Sequence, residues 1–307
     1  MKRKDKKEKW NKNQVTLLSV NREHKATIFQ MLFHNKKELL SLYNALNCSN
    51  YTDEDELDIV TLENAVYMSM KNDLAFVLDF HLHLYEHQST PNPNMPLRDL
   101  FYVSQEYQKL VEKKSMYSSV ALKIPAPRFI VFYNGRAKQP ERQILRLSDL
   151  YELPEKDPML ELQVLMLNIN NGCNEQLKNN CRTLREYMIY VEKVRFYMDV
   201  ENISMQEAVE MAVEQCIQEG ILSDFLRKNK AEAIAMSIFE YDEERELKLL
   251  REAEYDAGHS EGLMEGLAAL VKTLKSYYSD IDSLYAAIVA NDVYKDISKE
   301  QVKRLLQ

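Results

Sequence analysis

The sequence predicts an α/β chain: a mixed central sheet flanked by helices, followed by an all-α C-terminal region. Three observations point to this. Up to about residue 170, short runs rich in β-branched and aromatic residues alternate with segments of helical spacing. From about Gln176 onward no strand pattern survives. The chain has 307 residues, 45% hydrophobic and 29% charged, enough apolar material for a large core and a composition that is globular rather than disordered. Mixed elements in one stretch argue for a single layered core. The organisation read from these patterns is a core at 14–170, a helical region at 171–256 and a short helical tail at 257–307.

The elements follow in order. Between Ala26 and Leu46, the residues Ile28, Leu32, Phe33, Leu39, Leu40, Leu42 and Tyr43 keep helical spacing, with a break at Asn35. Ile59 to Met70 is rich in β-branched and aromatic residues and fits either type of element. Asp73 to Asp79 and His81 to Gln88 read as two strands joined by a tight turn near Phe80. Pro91, Pro93 and Pro96 mark a loop that feeds a helix from about Leu97 to Lys113. Arg128 to Tyr133 is a buried strand closed by Asn134-Gly135, and Leu160 to Asn168 is another. In the helical region, Ser204 and Gly220 bracket a helix as N-cap and C-terminal stop. Gly258, Gly262 and Gly266 recur every fourth residue. Glu261 and Glu265 between them exclude a transmembrane packing motif and leave two options, close helix packing in a self-association hairpin or a loose, weakly helical linker.

No apolar run approaches the ~20 residues needed to span a bilayer, and Met1 to Asn13 lacks the apolar core of a secretory signal, so the expected location is the cytoplasm, with no membrane partner. Cys48, Cys173, Cys181 and Cys216 lack metal-site spacing and read as ordinary reduced thiols. The net charge of -8 runs against general phosphate binding. Its distribution is uneven: Lys2, Arg3, Lys4, Lys6, Lys7, Lys9 and Lys12 form a basic arm, which reads either as a phosphate contact or as a solubilising tail.

The chemistry concentrates between Asp73 and Gln88. Almost every neighbour there is apolar, and a carboxylate inside such strands is costly unless it is paired or binds a metal. A two-residue turn at Phe80 and His81 would set Asp73 opposite Gln88 and Ala75 opposite Glu86, so that Asp73, Glu86 and Gln88 share one face at one end of the hairpin. A three-residue turn without a bulge would put Asp73 on the face of His87 instead. Two carboxylates with a backbone carbonyl and water make a hard oxygen site suited to Mg²⁺ or Mn²⁺. The competing reading is a strand-end Asp and Glu making surface or capping contacts.

Asn72-Asp-Leu-Ala-Phe-Val-Leu-Asp79, then Tyr85-Glu-His-Gln-Ser-Thr90 and Pro91-Asn-Pro-Asn-Met-Pro-Leu-Arg98, resemble the Rpn-type family of recombination-promoting nucleases and transposases, within the PD-(D/E)XK superfamily. The likeness continues through Phe132-Tyr-Asn-Gly135, Leu167-Asn-Ile-Asn170, Gly220 to Leu226 and Glu240-Tyr-Asp242. It implies a restriction-endonuclease-like core and a Mg²⁺- or Mn²⁺-dependent endonuclease acting on DNA, associated with recombination or mobile elements. By position, Asp73 takes the part of the metal-binding aspartate and Glu86 that of the acid in (D/E)XK. Gln88 stands where many relatives have lysine, which leaves the general base open, since an amide can only hydrogen-bond. His87 should point to the opposite face. Ala26 stands where an acid is often found in the first helix, leaving Glu38 and Glu63 as substitutes for a third ligand or as plain surface residues. Arg98 and Tyr102, one helical turn apart, would flank the site. Arg98 reads either as a phosphate contact or as an ion pair with Asp99 or another carboxylate. Lys123 and Arg128 are candidates to extend a DNA groove. Cutting both strands of a duplex often uses two active sites, which points to a homodimer. The alternative is a catalytically weak or inactive nuclease-fold protein that binds DNA or another partner, favoured by Gln88, Ala26 and the net acidity.

Overall fold

The computed structural model of the chain describes residues 27–60, 73–111, 117, 119–278 and 280–306. The basic arm, Ala26, Glu63 and most of the ambiguous segment Ile59 to Met70 lie outside the described residues. The chain forms two compact units, one up to Glu240 and one from Tyr241 to Gln307.

The first unit is a mixed α/β fold. It opens with two short helices, α1 (Ile28–Phe33) and α2 (Lys36–Asn47), and the expected break falls where Asn35 caps α2 by accepting from Lys37 N and Glu38 N. Among the described residues six strands follow: β1 (Asp58–Ile59), β2 (Leu74–Leu78), β3 (His81–Gln88), β4 (Ala126–Tyr133), β5 (Arg142–Arg146) and β6 (Gln163–Asn168). Their order in the sheet is β1-β2-β3-β4-β6-β5. The first three strands form an antiparallel meander, β3, β4 and β6 run parallel, and β5 closes the far edge antiparallel to β6. The edge strand β5 escapes the sequence reading because Arg142 and Arg146 at its ends and its largely exposed side chains hide the usual alternation.

The β2–β3 turn lies at Asp79 and Phe80, not at Phe80 and His81. Both residues have positive φ, 47° and 58°, as a two-residue hairpin turn of the favoured hand requires. Asp79 tolerates that conformation, and its carboxylate accepts from Tyr51 Oη at 3.2 Å. Phe80 does so at the tip, 88% exposed. The register is therefore Ala75 opposite Leu84, two positions from the expected pairing. A shift of two preserves which face every side chain points to.

Helix α3 (Met95–Val111) connects β3 to its parallel neighbour β4 and covers one face of the sheet. Met95, Tyr102 and Val103 pack there on Ala75, Leu84, Val131, Tyr133, Val164 and Met166. The other face carries an aromatic layer: Phe29 packs on Phe132, His87 and Tyr187, while Phe76, His83 and Tyr85 meet Tyr43 or one another. Helices α4 (Glu175–Asn180), α5 (Arg182–Asp199), α6 (Met205–Glu219) and α7 (Ser223–Lys228) complete this unit, together with the first turns of α8 (Lys230–Leu274). The bracket read from sequence is present in α6, where Ser204 and Glu207 form a capping box and Gly220, at φ 76°, ends the helix.

In the second unit, the later part of α8 packs with α9 (Ile281–Val289) and α10 (Lys299–Leu305) around Leu267, Val271, Leu284, Ile288 and Val302. The three spaced glycines belong to the continuous helix α8, so the loose-linker option does not hold. Of the three, Gly266 alone has close company, as a Cβ there would fall 2.6 Å from Tyr294 Oη. Among the described residues no helix is long and apolar enough to cross a membrane.

Candidate metal centre

The hairpin register decides which acidic side chains meet. Asp73 stands one residue before β2, and continuing the ladder sets it opposite Glu86. The polar contacts agree. His87 N donates to Asp73 Oδ2 at 2.6 Å, and Asp73 N donates to Glu86 Oε1 at 3.3 Å. Glu86 is buried, and Asp73 is partly so. Both project to the face covered by α3, because side chains alternate along Asp73, Ala75 and Val77 and along Leu82, Leu84 and Glu86. The pair lies at the carboxyl end of the parallel strand β3, the end at which open α/β sheets receive ligands.

The electrostatics are those of crowded, desolvated acids. Burial raises the Asp73 carboxyl above the usual range, against the stabilising pull of the His87 amide, Arg98 and Gln30. Burial raises the Glu86 carboxyl well above its usual range too, and the charges of Asp73 and Asp99 add to this, while Arg98 opposes. Arg98 is the nearby cation: its Nη2 lies 3.6 Å from Glu86 Oε2 and donates to Tyr102 Oη at 2.8 Å. Of the two readings of Arg98, the ion pair is the arrangement present, and its partner is Glu86, not the adjacent Asp99.

Gln88 shares the face of Glu86, and its Nε2 donates to Met95 Sδ at 2.7 Å. His87 points the other way. Its ring stacks on Phe29 with centroids 4.9 Å apart, and its Nε2 is 3.0 Å from Tyr187 Oη. Burial, with the charge of Arg195, pushes this imidazole down to about 3, so it stays neutral at physiological pH.

Glu38, Lys123 and Arg128 are not at this centre. Glu38 accepts a hydrogen bond from Thr183 at the start of α5, so its place in α2 engages it elsewhere. Glu63 lies outside the described residues. Arg128 pairs in register with His83, three residues before the level of Glu86, and Lys123 precedes the start of β4. Alternation puts Arg128 on the side of Phe132, away from α3. Neither Lys123 nor Arg128 is therefore placed beside the two carboxylates.

At the centre, sequence reasoning missed Gln30 and named Asp99 only as a partner for Arg98. Gln30 Nε2 donates to Asp73 Oδ1, from one turn beyond the Ala26 position inspected for an acid. Asp99 is 1% exposed, and its Oδ1 has no hydrogen-bond partner among the described residues. Burial pushes its carboxyl up to about 8 despite Arg98. The inward stripe of α3 (Met95, Asp99, Tyr102, Val103, Glu106) is the signal that would have found it.

Two oxygen-donor side chains fit a hard divalent cation, with remaining positions left to backbone carbonyl and water. The burial that raises both carboxyls is what a bound dication would offset. Among the described residues, no group of three or more His, Cys, Asp or Glu side chains is placed to hold a metal ion. No family model, curated protein or solved structure matches this chain.

Proposed function

We propose that this chain is a metal-dependent DNA endonuclease with a PD-(D/E)XK-like core, hydrolysing phosphodiester bonds in a recombination or mobile-element setting. The observation that carries the reading is the meeting of Asp73 and Glu86 on one face of a hairpin at the carboxyl end of β3, with an arginine beside them. The mixed sheet flanked by helices is of the broad α/β class that the family resemblance implies, which supports the reading. Bound Mg²⁺ or Mn²⁺ supplies a water of lowered pKa and charge stabilisation at a phosphoryl oxygen. The protein's own groups then have definite tasks. Asp73 and Glu86 hold the cation. The His87 amide and Gln30 fix the Asp73 carboxylate from two sides. Arg98, 29% exposed, is placed to reach a phosphate oxygen, for which its planar fork is suited.

The test is supercoiled plasmid with purified protein and Mg²⁺ or Mn²⁺. The expected result is divalent-dependent nicking that Asp73→Ala abolishes. Equal, metal-independent nicking by both proteins would defeat the proposal. A second reading, a catalytically weak or inactive DNA-binding protein on the same fold, draws on Gln88. This amide replaces a charged group in the motif and is bonded to the Met95 thioether rather than pointing at the carboxylates. Under that reading, duplex binding persists and nicking is absent in the wild type.

A further inference from the structure

The charge of Arg98 falls on the Glu86 oxygen that a cation would take. Nη2 is 3.6 Å from Glu86 Oε2, and that carboxylate is closed to solvent while the arginine side chain is partly open. A dication gripping Glu86 would sit within a few ångströms of the guanidinium, where the like charges repel. Arg98 also has a second attachment that does not involve Glu86. It donates to Tyr102 Oη at 2.8 Å, and its guanidinium carbon is 5.7 Å from the centre of the Tyr102 ring. Tyr102 is buried on the same helix one turn away, so it stays put when Glu86 changes partner.

We propose that Arg98 is a positioning residue with two states: counter-ion to Glu86 in the metal-free site, and, once a divalent cation displaces it, a phosphate-binding arm steadied by Tyr102. This rests on the nuclease reading and adds to it a coupling between metal occupancy and nucleic-acid binding. Without metal, the guanidinium is spent on Glu86 and the face between Asp73 and Asp99 repels phosphate. With metal, the carboxylates are neutralised and the arginine is released toward the backbone of the substrate. The charges facing Arg98 come from Asp73, just before β2, and from Glu86 on β3, and Asp99 adjoins it on its own helix.

The test measures Mn²⁺ binding by electron paramagnetic resonance and binding of a short labelled DNA duplex by stopped-flow anisotropy, read before cleavage. The full-length wild type is compared with Arg98→Met, Arg98→Lys and Tyr102→Phe. Arg98→Met removes the competing charge and should bind Mn²⁺ about tenfold more tightly, the figure for a single and a double charge ~6 Å apart at a water-like dielectric. It should also lose duplex affinity in Mn²⁺. Arg98→Lys, which keeps the charge, should hold Mn²⁺ affinity near the wild-type value. Tyr102→Phe should leave Mn²⁺ affinity unchanged and weaken duplex binding only when Mn²⁺ is present. Unchanged or weaker Mn²⁺ binding in folded Arg98→Met, with the wild type binding Mn²⁺, overturns the proposal and leaves the metal site standing. If Arg98→Met does not fold, wild-type duplex affinity in Tyr102→Phe overturns it. A folded wild type that binds no Mn²⁺ overturns the metal reading and this proposal with it.

Discussion

Replacing Asp99 by asparagine should stabilise the fold, and by more the higher the pH. The side chain is 1% exposed, lies on the inward stripe of α3, and has one oxygen without a partner among the described residues. Its carboxyl moves from 3.8 up to about 8, with burial as the main cause. The folded state therefore keeps a proton that the unfolded chain gives up near 3.8. That contribution to stability is complete below pH 3.8 and is lost as the pH climbs to about 8. Each pH unit in this window costs roughly 1 kcal/mol or a little more, so the loss between pH 5 and pH 7 is about 2–3 kcal/mol. The amide of the Asp99→Asn variant would not titrate, whereas Asp73 and Glu86 titrate in both proteins and largely cancel. Urea unfolding at the two pH values, without divalent cation, should show the stability gap between variant and wild type widening by an amount of this order. A gap constant to within about 0.5 kcal/mol, or one that narrows as pH rises, would refute the claim that Asp99 resists ionisation.

Three further outcomes are expected. Gly135→Ala should cost about 2–3 kcal/mol in urea unfolding, because its Cβ would fall 1.7 Å from the Ser89 carbonyl oxygen, a backbone atom that cannot swing aside. His87→Phe should lessen acid sensitivity: the wild-type imidazole sits at about 3 when folded against 6.5 when free, so its contribution is present above pH 6.5 and is lost as pH falls toward 3, and the urea midpoint of the variant should drop less over that window. Gly262→Ala should raise the stability of the second unit by about 0.5–1 kcal/mol, measured by circular dichroism on heating, since nothing lies within 4 Å of the added methyl and α8 is continuous there.

What the sequence revealed follows from which forces are local. Helix ends were legible because caps are written in adjacent residues: Asn35, Ser204 and Gly220 each stand where the pattern put them. The faces of β2 and β3 were legible because alternation needs no knowledge of partners. The turn was misplaced because Asp79 and Phe80 adopt positive φ without a glycine to advertise it. That error was harmless to the pairing of Asp73 with Glu86 only because it was even. Glu38 and Arg128 lie away from the two carboxylates for another reason. A charged residue near the site in sequence has no address in space until the sheet order is known, and these went to Thr183 and to the aromatic face. Asp99 and Gln30 were hidden in the same way. Their significance comes from what packs opposite them, on elements 13 and 43 residues from their partners Glu86 and Asp73 in the numbering.

The centre is a place where the fold works against its own stability, and that bears on function. Asp73, Glu86 and Asp99 all have carboxyls raised by burial, and the nearby compensating cation, Arg98, is a monovalent group 3.6 Å from just one of them. A purely structural design would resolve such a cluster with apolar residues of similar size, which is commonly neutral or stabilising. Here it forms a cluster of acids beneath a helix that protons or an added cation must neutralise, at the strand ends where ligands enter open sheets. A divalent cation placed there would bring down all three carboxyls together, so its binding energy would appear as folding stability. Mg²⁺ or Mn²⁺ should therefore raise the melting temperature of the wild type, and should do so more at pH 8 than at pH 5, where protons already do part of the neutralising. Asp73→Ala should erase the metal-dependent shift while keeping a folded baseline. A shift of equal size in that variant would place the cation elsewhere and separate the buried acids from the proposed chemistry.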